Sequence, residues 1–187
     1  MAPFSPSSTG TNSCSGKRVM SARNYLALLT CLALAGCSVS PAEHVKRAKA
    51  FAHQKKPAEA IIEYRAALEQ DGQLGEARLK LADLYAQQED IQNAYKEYLR
   101  AADLLPNNVD AQLKAGAMLL MANSFAEAKT RAERVLRSQP KNTGALMLLG
   151  NALAGLKDLD AALEQLNRAI DTDPNSSLAY SNLAVVQ

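Results

Sequence analysis

The strongest constraint on this chain is an internal repeat, because three sets of residues recur every 34 positions from residue 41 onward. The sets are Pro106, Pro140 and Pro174; Ala60, Ala94, Ala128 and Ala162; and Ala48, Ala82, Gly116, Gly150 and Ala184. Three series with one period indicate a repeated structural unit. A unit this short cannot bury its apolar side alone, so neighbouring units must stack around a shared core.

Each unit is expected to contain two helices, since the repeated region is rich in alanine and poor in β-branched residues. The registers are 41–74, 75–108, 109–142 and 143–176, followed by an incomplete fifth at 177–187. The second helices of units two to four are predicted to start after the N-cap residues Asp90, Ser124 and Asp158. Ser124 and Glu127 are predicted to form a capping box. In the first unit, Pro57 is predicted to lie in the first turn of the second helix. Asn108, Asn142 and Ser176 are the predicted caps of the first helices.

The residues at fixed places within the units resemble the tetratricopeptide repeat (TPR) family. The signature positions hold Leu81, Ala82, Tyr85, Ala94, Tyr98, Ala101 and Pro106 in the second unit, and Leu149, Gly150, Leu153, Ala162, Leu166, Ala169 and Pro174 in the fourth. The first unit differs from the family pattern at His44 and Arg47, which suit a terminal repeat facing water. The third unit differs from it at Ala132 and Val135. The resemblance implies an all-α fold, a right-handed solenoid of antiparallel helix pairs over residues 41–187.

Residues 1–36 are expected to be a signal peptide, with residues 1–19 an over-called extension if translation starts at Met20. Basic residues precede an apolar run at 25–35, which is too short to span a bilayer as a helix. Leu34, Ala35, Gly36 and Cys37 resemble the lipobox of bacterial lipoproteins. The resemblance implies cleavage after Gly36, lipid on Cys37 and a lipidated linker at 37–40; Ser38 resembles the pattern of lipoproteins sent to the outer membrane.

In TPR proteins the first helix of each pair lines the concave face, so the resemblance implies a groove for peptides there. The candidate groove residues are Lys49, Leu79, Asp83, Leu113, Leu120, Met121, Met147, Asn151 and Asn182. An apolar middle with polar flanks suits a peptide with hydrophobic anchors. The alternative is that Leu113, Leu120, Met121 and Met147 are additional core. A carboxylate clamp is not expected, because Leu113 and Met147 stand where lysines would be.

Charge and residue content argue against other functions. Without Lys17, Arg18 and Arg23, the 21 basic residues fall to 18 against 19 acidic ones, which leaves no basic footprint for nucleic acid. The region from residue 38 has no cysteine, and its two histidines, His44 and His53, lie on opposite sides of a helix and are expected to be solvated. We therefore predict no metal site, no cofactor and no catalytic residue.

These features predict a TPR lipoprotein that acts as a protein-binding scaffold on the periplasmic side of the outer membrane. A lipid signal followed directly by TPRs resembles lipoproteins of pilus assembly and of exopolysaccharide-linked (PEP-CTERM) sorting systems. Two alternatives stay open: a non-catalytic TPR piece of a larger enzyme or transferase, and a cytoplasmic TPR adaptor. The incomplete fifth repeat favours either a longer array or an end covered by another protein. The sequence names neither the partner protein nor the oligomeric state.

Overall fold

A computed structural model describes residues 39–186 of the chain. The predicted signal peptide and the predicted lipidation site at Cys37 lie outside these residues. Within them the chain is helical and contains no strand.

The helices follow the 34-residue period. The first helices of the pairs are α1 (Pro41–His53), α3 (Gly75–Gln87), α5 (Val109–Met121), α7 (Thr143–Gly155) and α9 (Ser177–Val186). The second helices are α2 (Pro57–Gln70), α4 (Ile91–Leu104), α6 (Phe125–Ser138) and α8 (Leu159–Thr172). Each helix starts 34 residues after its counterpart in the preceding unit. The predicted all-α arrangement of stacked helix pairs is confirmed.

Side-chain caps fix most of the predicted helix starts. The amide oxygen of Asn108 accepts the backbone N–H of Ala111 at 2.9 Å, and Asn142 makes the equivalent bond to Ala145. The carboxylates of Asp90 and Asp158 cap α4 and α8 over 3.2 and 3.3 Å. Because the first backbone N–H groups of a helix have no partner within it, these bonds set where each helix begins.

The capping box predicted at Ser124 is wrong. The Ser124 side chain makes no capping hydrogen bond, although its backbone (ψ 61°) resembles that of Asp90 (ψ 72°). The serine hydroxyl lies one bond nearer the backbone than a carboxylate oxygen. At this ψ angle the longer aspartate reaches the third helical N–H and the serine does not.

Close contacts between small and large residues join helices within a pair and between neighbouring units. Gly150 of α7 faces Leu166 of α8, and a Cβ atom at Gly150 would lie only 2.7 Å from the Leu166 Cγ. Gly116 is covered in the same way by Leu148 of the next unit. Both glycines therefore allow the close helix approach predicted from their place in the repeat. Leu148 also belongs to the buried cluster that contains Ala132, the small residue by which the third unit differs from the family pattern.

Polar side chains 19 residues apart join the two helices of the first three pairs. The Nδ1 atom of His44 lies 2.6 Å from a carboxylate oxygen of Glu63. Arg78 donates to Glu97 over 2.6 Å, and Arg131 donates to Gln112 over 3.4 Å. The expected solvation of His44 is thus wrong, because its side chain is only 16% exposed and ties α1 to α2. His53 is exposed, as expected.

The first helices of the last three units form the inner layer of the stack there. Helix α5 contacts α7, and α7 contacts α9, whereas no two second helices within residues 39–186 approach each other to a similar extent. In a curved stack the elements on the inner side lie closest together, so α5, α7 and α9 line the concave side. None of the helices in this part of the chain combines the length and the apolar character that a membrane span requires.

Candidate functional site

By their spacing along α5, α7 and α9, most of the predicted groove residues of these helices share one side, which we call the inner face. It consists of Leu113, Ala117, Leu120, Met147, Asn151, Ala154, Asn182 and Val185. Leu113 of α5 packs over Gly144 of α7, so the surface is continuous between these two helices. Leu113, Leu120 and Met147 are half-buried, and each packs partly against a core cluster. They therefore combine the two roles that the sequence left open.

Leu79 does not line a surface, and its assignment to the groove is corrected. Its side chain is only 2% exposed and packs with Ala111 and Ala115 of α5. Tyr98, Ala101 and Ala102 of α4 belong to the same cluster, so α4 and α5 together cover Leu79. A peptide could reach this leucine only by displacing one of these helices.

Met121 lies in a crevice apart from the other predicted groove residues. It lies at the end of α5, is 64% exposed and shares a crevice with Ile91, Tyr95 and Met118. Lys49 is exposed on α1, two repeats away from the inner face. Met121 therefore lines this crevice, and the place of Lys49 in the groove stays a prediction.

Asp83 of α3 anchors a polar network at the edge of the inner face. Its Oδ1 atom accepts a hydrogen bond from the Tyr98 hydroxyl at 2.9 Å and lies 2.7 Å from the Lys114 ammonium. Lys114 also lies 2.9 Å from an Asp110 carboxylate oxygen and stands 5.9 Å from the centre of the Tyr98 ring. This network links α3, α4 and α5. Neither Lys114 nor Tyr98 was predicted from the sequence to belong to the groove.

The carboxylates of Asp83 and Asp110 raise the pKa values of Tyr98 and Lys114. Burial raises the pKa of Tyr98, and its hydrogen bond to Asp83 and the charges of Asp83 and Asp110 raise the pKa further. Burial alone would lower the pKa of Lys114, but hydrogen bonds to Asp83 and Asp110 outweigh it and raise that pKa. Lys114 is therefore charged and already neutralised, so it is poorly suited to grip a peptide carboxylate.

Beyond this network the inner face carries no charge. Helices α7 and α9 contain no Asp, Glu, Lys or Arg over their whole length. At their surface stand the amides of Asn151 and Asn182 and the side chain of Val185, which is 87% exposed. Depletion of charge together with exposed apolar side chains is typical of surfaces that contact other proteins. In residues 39–186, no three His, Cys, Asp or Glu side chains form a group that could hold a metal ion.

Comparison with known proteins places this arrangement in a family. Residues 75–108 and residues 113–177 each match a family model described as a tetratricopeptide repeat, and together they cover just over half of the chain. Over 87 residues the chain is 32% identical to Anaphase-promoting complex subunit 3 of Dictyostelium discoideum. That match covers 46% of this chain and only 9% of the relative, so the chain spans a small part of the relative's length.

Solved structures of TPR proteins share the fold. MamA from Desulfovibrio magneticus RS-1 superposes with a TM-score of 0.68 at 22% identity, over 80% of this chain and 84% of that one. YrrB gives a TM-score of 0.68 at 23% identity, over 77% of this chain and 74% of its own. The solved structures share the fold, and the family-model matches over residues 75–108 and 113–177 show that the chain belongs to the tetratricopeptide repeat family.

Proposed function

We propose that this chain is a non-catalytic docking scaffold that binds a partner polypeptide along the inner face of α5, α7 and α9. The observation that carries the proposal is the absence of charge from α7 and α9 beside exposed apolar side chains. A partner with apolar anchors would bury this surface without leaving a charge unpaired. Asn151 and Asn182 would offer hydrogen bonds to the partner's backbone. YrrB, which shares the fold, is described as a TPR protein with an unusual peptide-binding site.

The proposed docking face can be tested by photo-crosslinking in cells. We expect benzoylphenylalanine at Asn151 to give discrete protein adducts, and Val185→Glu to reduce their yield about tenfold or more, because the new charge would be buried without a partner. Ile62→Glu is the matched control, since Ile62 is also an exposed apolar residue (65%) but lies on the second helix α2. Adducts that survive Val185→Glu and are lost with Ile62→Glu would contradict the proposal.

We further propose that lipid on Cys37 holds the scaffold at the periplasmic side of the outer membrane, where it serves envelope assembly, export or exopolysaccharide-linked sorting. The support is the signal-like segment and the lipobox resemblance at residues 34–37. Each buried methylene of an acyl chain contributes about 0.8 kcal/mol, so several chains together hold a domain at a bilayer.

Cys37→Ala should move the protein from the membrane fraction to the soluble fraction, since the lipid attachment point is lost. Cell fractionation and the intact mass of the mature protein measure this directly. Cys31→Ala is the matched control, because it removes a cysteine from the predicted signal peptide and leaves Cys37 in place. If Cys37→Ala stays in the membrane fraction with an unchanged mass, the lipid anchor is refuted.

A further inference from the structure

An open crevice lies between the second and third repeats, where the start of α4 meets the end of α5. Its volume is about 400 Å³, and its walls include Ile91 and Tyr95 from α4 and Met118 and Met121 from α5. Ile91 and Met121 are large apolar residues that are 43% and 64% exposed. The crevice is thus apolar, and its size suits one or two side chains rather than a whole helix.

The next repeat boundary shows what fills such a space in this chain. Phe125 begins α6 as Ile91 begins α4, and Gly155 ends α7 at the position where Met121 ends α5. The Phe125 ring packs directly against Gly155, so closely that a Cβ atom there would overlap it. At that boundary an aromatic ring from within the chain occupies the interface. At the Ile91–Met121 boundary the counterpart of Phe125 is the smaller Ile91, and both side chains stay exposed.

The rim of the crevice indicates the charge of its occupant. Lys96 is the one charged residue lining it, and the side chain is exposed. The ion pairs found in residues 39–186 do not include Lys96, so no carboxylate of these residues neutralises its ammonium through an ion pair. An occupant with a carboxylate next to its apolar group would pair with this ammonium. Methionine side chains at the wall can adapt to the shape of that apolar group.

We propose that this crevice binds a short segment of a partner protein through one aromatic side chain with an acidic residue beside it in the sequence. The ring would lie between Tyr95, Met118 and Met121, and the carboxylate would face Lys96. The site lies at the α4–α5 boundary and adds a second contact point to the inner face. Aromatic anchors in well-packed pockets carry much of the binding free energy at protein interfaces.

Methionine-methyl NMR of the full chain can test the site, with an acetylated Ser-Gly-Phe-Asp-Gly-Ser peptide as the probe. We expect the Met118 and Met121 methyl signals to shift saturably while the Met147 signal stays in place. Replacing the peptide's Phe by Ala should weaken binding at least tenfold, and replacing its Asp by Lys roughly twofold to fivefold. Because Met147 reports on the inner face, failure here is distinct from failure of the docking face proposed above.

Two variants make the test specific. Lys96→Glu should reverse the preference, so that the Phe-Lys peptide binds more tightly than the Phe-Asp peptide. Met121→Glu should abolish the Met118 shift, whereas Val185→Glu on the inner face should leave it unchanged. The proposal is overturned if no methyl shifts, if Met147 shifts equally, or if the Ala peptide binds as well as the Phe peptide. It is also overturned if the Met118 signal moves with protein concentration alone, since a second copy would then fill the crevice.

Discussion

Leu166→Ala is expected to lower the free energy of unfolding by about 2–5 kcal/mol, because it removes a large side chain from the contact between α7 and α8. Leu166 is fully buried, and its branched end fills the space above Gly150. Truncation would leave a cavity that two helix backbones cannot close without moving together. Urea unfolding followed by circular dichroism at 222 nm measures the change.

The same substitution at Leu159 is the matched control for Leu166→Ala. Both leucines lie in α8, but Leu159 is 47% exposed at the start of the helix. Leu159→Ala should therefore cost less than about 1 kcal/mol, since little apolar surface is removed from the interior. Equal losses for the two variants would mean that helix propensity, and not the α7–α8 contact, sets the stability of this pair.

Gly150→Ala is expected to destabilise the protein by about 1–3 kcal/mol, although alanine favours helix more than glycine does. The new Cβ atom would lie 2.7 Å from the Leu166 Cγ and 3.3 Å from the backbone oxygen of Ala162. Neither atom is the free end of a flexible side chain, so α7 and α8 would have to separate. Thermal unfolding of the purified variant tests this expectation.

Gly72→Ala provides the comparison for Gly150→Ala. Gly72 lies in the loop between α2 and α3, and the nearest atom to a Cβ there is the Arg78 Nη2 at 3.5 Å, an ordinary contact. This variant should be neutral or gain about 0.4–1 kcal/mol, because alanine restricts the unfolded chain more than glycine does. A loss at Gly72 as large as the loss at Gly150 would contradict the close approach of α7 and α8.

The helix pairs could be predicted from the sequence because several independent signals coincide at one period. The same 34-residue spacing links the capping residues Asn108 and Asn142, the buried alanines Ala94 and Ala128, and the ends of the units. Each signal alone is common in helical proteins. Repeated in register, they fix where the helices begin, and the structure follows that register at every helix start.

Details that depend on side-chain reach were not predictable in the same way. Ser124 occupies a capping position but is too short for the local backbone, whereas Asp90 at the equivalent place makes the bond. Lys55 and Lys157 adopt a positive φ (58° and 68°) at the turns inside their pairs, where glycine would be expected from conformational preference. Composition gives no sign of either feature, because both depend on the neighbouring backbone.

The polar bridges between the helices of a pair correspond to a regular spacing in the sequence. His44 and Glu63, Arg78 and Glu97, and Gln112 and Arg131 are complementary pairs at a constant separation of 19 residues. In the fourth unit the corresponding first residue is Leu146, which is buried in an apolar cluster instead. A search for complementary chemistry at a fixed offset within the repeat would have placed His44 inside the pair rather than in solvent.

The candidate site was only partly predictable, because the register gives a position on a helix but not what covers it. Leu79, Leu113 and Met147 share one place in the repeat, yet Leu79 is buried in a cluster with residues of α4 and α5 while the other two are half-exposed. Met121 turned out to line a separate crevice with Met118. These differences depend on which residues of the other helices pack over each position, so they require the packed structure.

Hydrogen–deuterium exchange of the full chain, free and bound to its crosslinked partner, locates the docking surface. Docking on the inner face should slow exchange in α5, α7 and α9, because a bound polypeptide would shield that face and restrain local opening of those helices. Helices α2, α6 and α8 should change little. Protection confined to the outer second helices, with α7 and α9 exchanging as in the free protein, would contradict the account.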